Sequence, residues 1–467
     1  MGTRNIVIYS DGTGQRGGVL VDEDRSNIYK LYRATRCGPD LCVNPAEQVA
    51  FYDPGIGTLP PGSGWLASLW TRFYNLVSQA LGLGLTGNII DCYAAIVRLW
   101  RPGDRIFLFG FSRGAYTIRC LAATLCKCGI PTQMKDGSPL LHDEASSKKI
   151  AREAVRKVYQ HTSSWEKAQA SKRQLELLDQ REAIAKRFRE QYGSANGEEP
   201  NVYPYFVGVF DTVASLSNPI ALVGLIALAP VLTALLSLLI WWGLSYFFEI
   251  ATSWWLWFAS LTVAIGVIGY FANFLTRIRV AFDLPGYPWY ETLHLTETRM
   301  IFYDRTLNKN VNFARHALSI DEARESFQRV QWGEPGVWKD SEPQWFEQLW
   351  FPGNHADIGG SYKESESRLS DISLKWMLDA AVAVGLKYDA SSLHLYPDPT
   401  GPQHDETRSS VFKYAKRSSR RLENDYPLHP SVLERLQAGR VLNYDRYEDY
   451  RPSNLKEHDK AKSFYSK

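Results

Sequence analysis

Ile106-Phe107-Leu108-Phe109-Gly110-Phe111-Ser112-Arg113-Gly114-Ala115-Tyr116 is the stretch on which the fold turns. The apolar run reads as a buried strand and the residues after Ser112 as a helix, with the serine at the turn between two glycines. In that setting G-x-S-x-G is a nucleophile elbow. The glycines answer a steric need: so tight a turn strains the serine's backbone and brings strand and helix too close for flanking side chains. Ser112 is the predicted nucleophile, Gly110 and Gly114 complete the elbow, and the N–H of Arg113 opens the helix. The competing reading is a glycine-flanked surface turn.

Outward from the elbow, residues 1–130 alternate in character. Strands are expected at 4–10, 49–53 and 105–109, and helices near 26–34, 64–80, 87–100 and 113–127. Such alternation predicts an α/β fold with a mainly parallel sheet covered by helices. Residues 142–192 are rich in Lys, Arg, Glu, Gln and Ala, with Ile150, Val155, Val158 and Tyr159 at helical spacing. They read as a solvent-facing helical insertion, closed by a loop at 194–200. Pro204 to Phe210 resumes the sheet and delivers Asp211 at its end. Further on, strands are expected at 298–303 and 345–351 and helices at 316–329 and 370–384. Beyond 390 the chain is polar, and the basic run Lys413 to Arg421 reads as solvated surface. The resulting division is a hydrolase-like core at 1–218 (with the insertion at 142–200) and 276–390, an apolar hairpin at 219–275, and a polar extension at 391–467.

A net charge of +3 over 467 residues gives no electrostatic reason to expect nucleic acid as a partner. The six cysteines lack paired C-x-x-C spacing and a histidine partner, which argues against zinc or a disulfide framework. Neither a metal nor an organic cofactor is expected. Asn5 to Ser10 is too short an apolar run for a secretory leader.

From Pro219 to Leu275 the only acid or base is Glu249. Two apolar spans, 219–242 and 253–275, are each long enough to cross a hydrocarbon core of ~30 Å. Trp241, Trp242, Tyr246, Phe247 and Phe248 close the first, and Trp254, Trp255, Trp257 and Phe258 open the second. In a hairpin both groups fall at one membrane boundary, while Arg277 and Arg279 place the outer ends on the cytoplasmic side. The alternative is an apolar lid buried in a soluble protein.

A serine hydroxyl needs a base, and the base an acid to fix its tautomer. Asp211 has the right chain order and a strand before it; an aspartate capping the next helix is the bland alternative. His142 and His161 lie in the polar insertion, and His316 falls in an expected helix. His355 follows a strand within the glycine-rich loop Pro352 to Gly360, which makes it the predicted base. Asp357 competes weakly for the acid role. Gly12 and Thr13, in the loop after the first strand, are the predicted second oxyanion donors beside Arg113. Asp11 is otherwise expected to organise that turn. Because His355 follows the apolar segment, the three residues meet only if that segment crosses a membrane an even number of times or not at all.

Asp11-Gly12-Thr13, Gly110 to Tyr116, Gly208 to Val213 and Pro352 to Gly360 resemble, in order, the motifs of the α/β-hydrolase family of type VI secretion phospholipase effectors. Arg315 to Glu322 and His429 to Val432 resemble further blocks. The resemblance implies a Ser-His-Asp esterase acting on phospholipids, with Ser112, Asp211 and His355 as its triad. It also implies a secretion-apparatus or immunity-type protein partner, and export if the chain is an effector. The expected function is a membrane-associated serine hydrolase of lipid esters. A catalytically idle, hydrolase-like membrane module is the competing class.

Overall fold

The computed structural model describes residues 3–12, 23–55, 84–163, 170–213, 234–235, 237–248, 253–275, 277–296, 306–327, 330, 332–333, 341–408 and 416–465. It divides into two compact units, Met1–Ser215 with Ile301–Lys467, and Leu216–Met300.

The first unit is built on β1 (Asn5–Ser10), β2 (Gln48–Asp53), β3 (Arg105–Phe111), β4 (Phe206–Phe210), β5 (Phe313–Ser319) and β6 (Phe346–Phe351). They form one sheet in the order β6-β5-β4-β3-β1-β2, and every pairing is parallel. Parallel strands are covered on both faces and so read as unbroken apolar runs; all six residues of β1 are buried. Side chains alternate between faces. Val7, Tyr9, Phe107, Phe109, Phe206 and Phe210 share one core with Ile28 and Leu31 of α1 (Asn27–Thr35) and with Leu374, Met377 and Leu378 of a helix at Arg368–Ala383. The intervening Ile6, Ile8, Ile106 and Leu108 are fully buried too. Helices α2 (Leu85–Leu99) and α3 (Arg113–Cys128) pack on the sheet and on each other. The expected helix at 64–80 and strand at 298–303 lie outside the described residues.

The insertion departs from its expected solvent-facing character. Glu144–Arg152 continues through further helical turns to His161, and Lys172–Tyr192 is a capped helix. Ile150, Val155, Val158 and Tyr159 are at most 1% exposed, because this helical face packs on α2, α3 and the second insertion helix.

The expected helix at 316–329 is also corrected. His316 lies inside β5, paired with Val209 and Gln348 of the strands on either side. The alanine- and arginine-containing run suits a helix locally, but ladder partners on both edges override that preference.

At the sheet edge, Leu318 and Trp350 form a second core with Leu422, Leu428, Val432, Leu436 and Tyr450. The polar extension therefore carries its own apolar face against β5 and β6.

In the second unit, no helix among the described residues is long and apolar enough to cross a membrane. The expected two-span transmembrane hairpin is not seen. Its first span lies mostly outside the described residues. The helix Ser253–Leu275 has 23 residues and no acid or base, but its run includes hydroxyl and amide residues. Trp254, Leu256, Trp257, Leu261, Val267, Ile268 and Phe271 along it are exposed, as are Phe282, Trp289, Tyr290, Leu293 and Leu295 beyond it.

Candidate active site

β3 ends at Phe111, α3 starts at Arg113, and Ser112 between them has φ 58° and ψ −121°. That conformation is strained for an L-residue and persists only where the surroundings enforce it. A Cβ on Gly114 would lie 2.0 Å from the Ser10 carbonyl oxygen, and one on Gly110 would lie 2.5 Å from that of Gly114. Neither position accepts a side chain without moving backbone. The Ser112 N–H donates to Phe210 O at 3.1 Å, tying the turn to the end of β4.

Asp211 follows β4, fully buried, with φ 37°. Its Oδ2 accepts from His355 Nδ1 at 2.5 Å and from Arg420 Nη2 at 2.9 Å. Its Oδ1 accepts from Arg420 Nη1 at 2.5 Å and from Ser319 N at 3.0 Å. Burial alone raises the pKa of this carboxyl, but the Arg420 guanidinium and the His355 hydrogen bond outweigh it and hold the group well below the usual carboxylate range.

His355 opens a short helix, His355–Gly359, after β6. Asn354 caps that helix by accepting from the N–H groups of Ala356 and Asp357, while Asp357 accepts from Asn354 N. The imidazole is flanked by the rings of Phe111 and Phe327, at centroid distances of 4.7 and 5.0 Å. Burial lowers its pKa, against the opposing pull of Asp211, so the neutral, base-competent form is favoured. Nε2 is buried and has no hydrogen-bond partner among the described residues, so Ser112 Oγ is not bonded to it here. The free nitrogen lies on a ring that packs against Phe111, the neighbour of Ser112. Catalytic hydrogen bonds are often long in a free enzyme and tighten with substrate.

The remaining predicted residues fall as follows. The Gly12 N–H donates to Asp11 Oδ1 at 2.7 Å and is committed within its own turn. Thr13 lies outside the described residues. Asp11 also accepts from the Ser26 and Tyr52 hydroxyls; burial raises its pKa to about 7. Asp357 faces His404, whose Nδ1 lies 2.7 Å away, and does not pair with His355. His316 is held by Gln348 and Thr212, and burial lowers it to about 3. His161 is buried in the insertion beside Gln180. Among the described residues no group of His, Cys, Asp or Glu is arranged to hold a metal ion.

Sequence reading missed Arg420, Phe327 and the Glu322–Arg324 pair. Arg420 lies in the basic run expected to be solvated, yet it is only 2% exposed, because Asp211 draws it inward. Nothing in the run distinguishes it from its neighbours.

A model of the family described as T6SS, phospholipase effector Tle1-like, catalytic domain matches residues 4–234 and 265–380. The chain is similar to the uncharacterized protein YEL023C of Saccharomyces cerevisiae, 24% identical over 444 residues, covering 84% of this chain and 58% of that protein. Among solved structures it is similar to an uncharacterized protein from Pseudomonas aeruginosa, at 15% identity and a TM-score of 0.37, covering 85% of this chain and 48% of that one. A Tle1 effector solved bound to the VgrG spike of the type 6 secretion system is 16% identical with a TM-score of 0.29, covering 79% and 52%. The chain thus spans about half the length of these relatives.

Proposed function

The chain belongs to the family of T6SS Tle1-like phospholipase effector catalytic domains, and from that membership and its site we propose a serine hydrolase that cleaves carboxylic esters of phospholipids. Ser112, Asp211 and His355 form the proposed triad. What carries the reading is the 2.5 Å contact between His355 Nδ1 and Asp211, with Nε2 left free, at the sheet edge that holds the elbow serine.

In the proposed reaction, His355 Nε2 takes the Ser112 proton as Oγ attacks the ester carbonyl. Asp211 keeps the Nδ1–H tautomer and stabilises the imidazolium. The N–H of Arg113 meets the developing oxyanion, with Gly12 or Thr13 as the proposed second donor; for Gly12 this requires release of its N–H from Asp11. Loss of one such donor lowers kcat about 10²–10³-fold. His355 then returns its proton to the leaving alcohol, and water, activated by the same base, releases the acyl group.

The second unit is proposed to rest on a lipid surface. Its exposed tryptophans and aliphatic side chains suit the headgroup boundary. A secretion-apparatus or immunity-type partner, and export, remain proposals that family membership raises.

The test is labelling by a fluorophosphonate probe together with turnover of a short-chain nitrophenyl ester. Both are expected of the wild type and of neither Ser112→Ala nor His355→Ala. Wild-type protein that is folded but inert in both assays would favour the catalytically idle module.

A further inference from the structure

We propose that Arg420 is a positioning residue of the hydrolase site, gripping both oxygens of Asp211 so that one of them stays aimed at His355 and the carboxylate's charge is shared between guanidinium and imidazole. The inference rests on reading Ser112, His355 and Asp211 as one catalytic unit.

The contact is a two-point fork, Nη1 to Oδ1 at 2.5 Å and Nη2 to Oδ2 at 2.9 Å. The same nitrogens donate to Ser319 O at 3.1 Å and Phe327 O at 2.8 Å. The Arg420 carbonyl accepts from Asn454 Nδ2, so backbone and side chain are both anchored. A planar fork fixes carboxylate orientation in a way that the single ammonium of lysine cannot. Phe327 completes the device: its carbonyl holds the guanidinium while its ring packs on His355.

Arg420 acts on His355 through Asp211. Glu322 accepts from the His355 N–H and is itself forked by Arg324, at 2.8 and 2.7 Å, which nearly neutralises that pair. Asp357, on the histidine's own helix, is turned to His404. Phe111 and Phe327 are uncharged. Arg324 and Glu322 act on the imidazole with opposite sign, so the main charge on it is that of Asp211, and Arg420 reaches the imidazole through its fork on that carboxylate. Without Arg420, an uncompensated carboxylate would stabilise the imidazolium more strongly.

The experiment measures the fluorophosphonate labelling rate against pH for full-length wild type, Arg420→Gln and Arg420→Lys. Arg420→Gln is expected to raise the midpoint of the profile by about one pH unit and to lower the plateau by about 10- to 100-fold. Arg420→Lys, keeping charge without the fork, is expected to restore the midpoint but not the plateau. Should Arg420→Gln fail to fold, Arg420→Lys carries the test through its plateau. Wild-type midpoints and plateaus in the folded variants would overturn the role of Arg420 alone, whereas an unlabelled wild type would sink the hydrolase reading itself.

Discussion

His355 and Asp211, 144 positions apart in the chain, meet in a 2.5 Å hydrogen bond buried at the carboxyl edge of a parallel sheet. Asp211→Asn keeps the shape but offers an amide that stabilises the wrong imidazole tautomer. It also leaves the Arg420 cation without its counter-charge. Ester turnover is expected to fall about 10⁴-fold, with substrate KM little changed. A loss below tenfold in folded protein would show that the dyad does not serve catalysis.

The acid limb of activity follows from the environment of His355. Burial lowers its pKa, so the neutral base persists below the ordinary histidine value of about 6.5. Activity is expected to be level through neutral pH and to fall only at more acid pH, with a midpoint below 6.5. The same sign governs stability through His316, lowered to about 3 by burial. Between about 6.5 and 3 the unfolded chain binds a proton at this residue that the folded chain refuses, so stability drops as pH falls. Urea melts of wild type and His316→Gln at pH 4.5 and 7 check this: the variant is expected to lose less stability on acidification.

Gly114→Ala tests the elbow through packing. The added carbon would sit 2.0 Å from Ser10 O and 2.5 Å from Asp11 O, both backbone atoms. Relief demands separation of β1 from the start of α3, which displaces Ser112 and the end of β1 together. A destabilisation of about 2–4 kcal/mol is expected, with labelling of Ser112 lost before the fold is. Calorimetry and probe labelling on one preparation separate the two effects.

The parts of this architecture that were legible share a physical cause. Strands buried on both faces must be apolar throughout, and the residues of the proposed triad stand where those runs stop, at Ser112, Asp211 and the loop of His355. Residues whose state depends on distant partners were not legible. Phe313–Ser319 carries arginine, histidine and alanine and becomes a strand only because β4 and β6 flank it. Arg420 sits among surface-type basic residues and is drawn inward by a carboxylate from a distant part of the chain. The insertion helices looked polar in composition, yet their few apolar residues were enough to bury one face. The aromatic-rich apolar segment 219–275 reads as two spans by length and composition, with a buried lid as the alternative, whereas no helix among the described residues is long and apolar enough to cross a membrane.

The C-terminal segment offers a way to separate packing from positioning. Leu436, 1% exposed, lies in the core that joins this segment to Leu318 and Trp350, and it takes no part in the contacts of Arg420. Leu436→Ala removes apolar contact and leaves a cavity, so a loss of about 2–5 kcal/mol is expected. The labelling rate of the molecules still folded at 25 °C should match wild type in midpoint and plateau, since the fork on Asp211 is intact. Thermal melts read the first effect and the pH profile the second. If Leu436→Ala shifted the profile as Arg420→Gln is expected to, the segment would act on the site through general packing, and a specific role for the guanidinium would have to be given up.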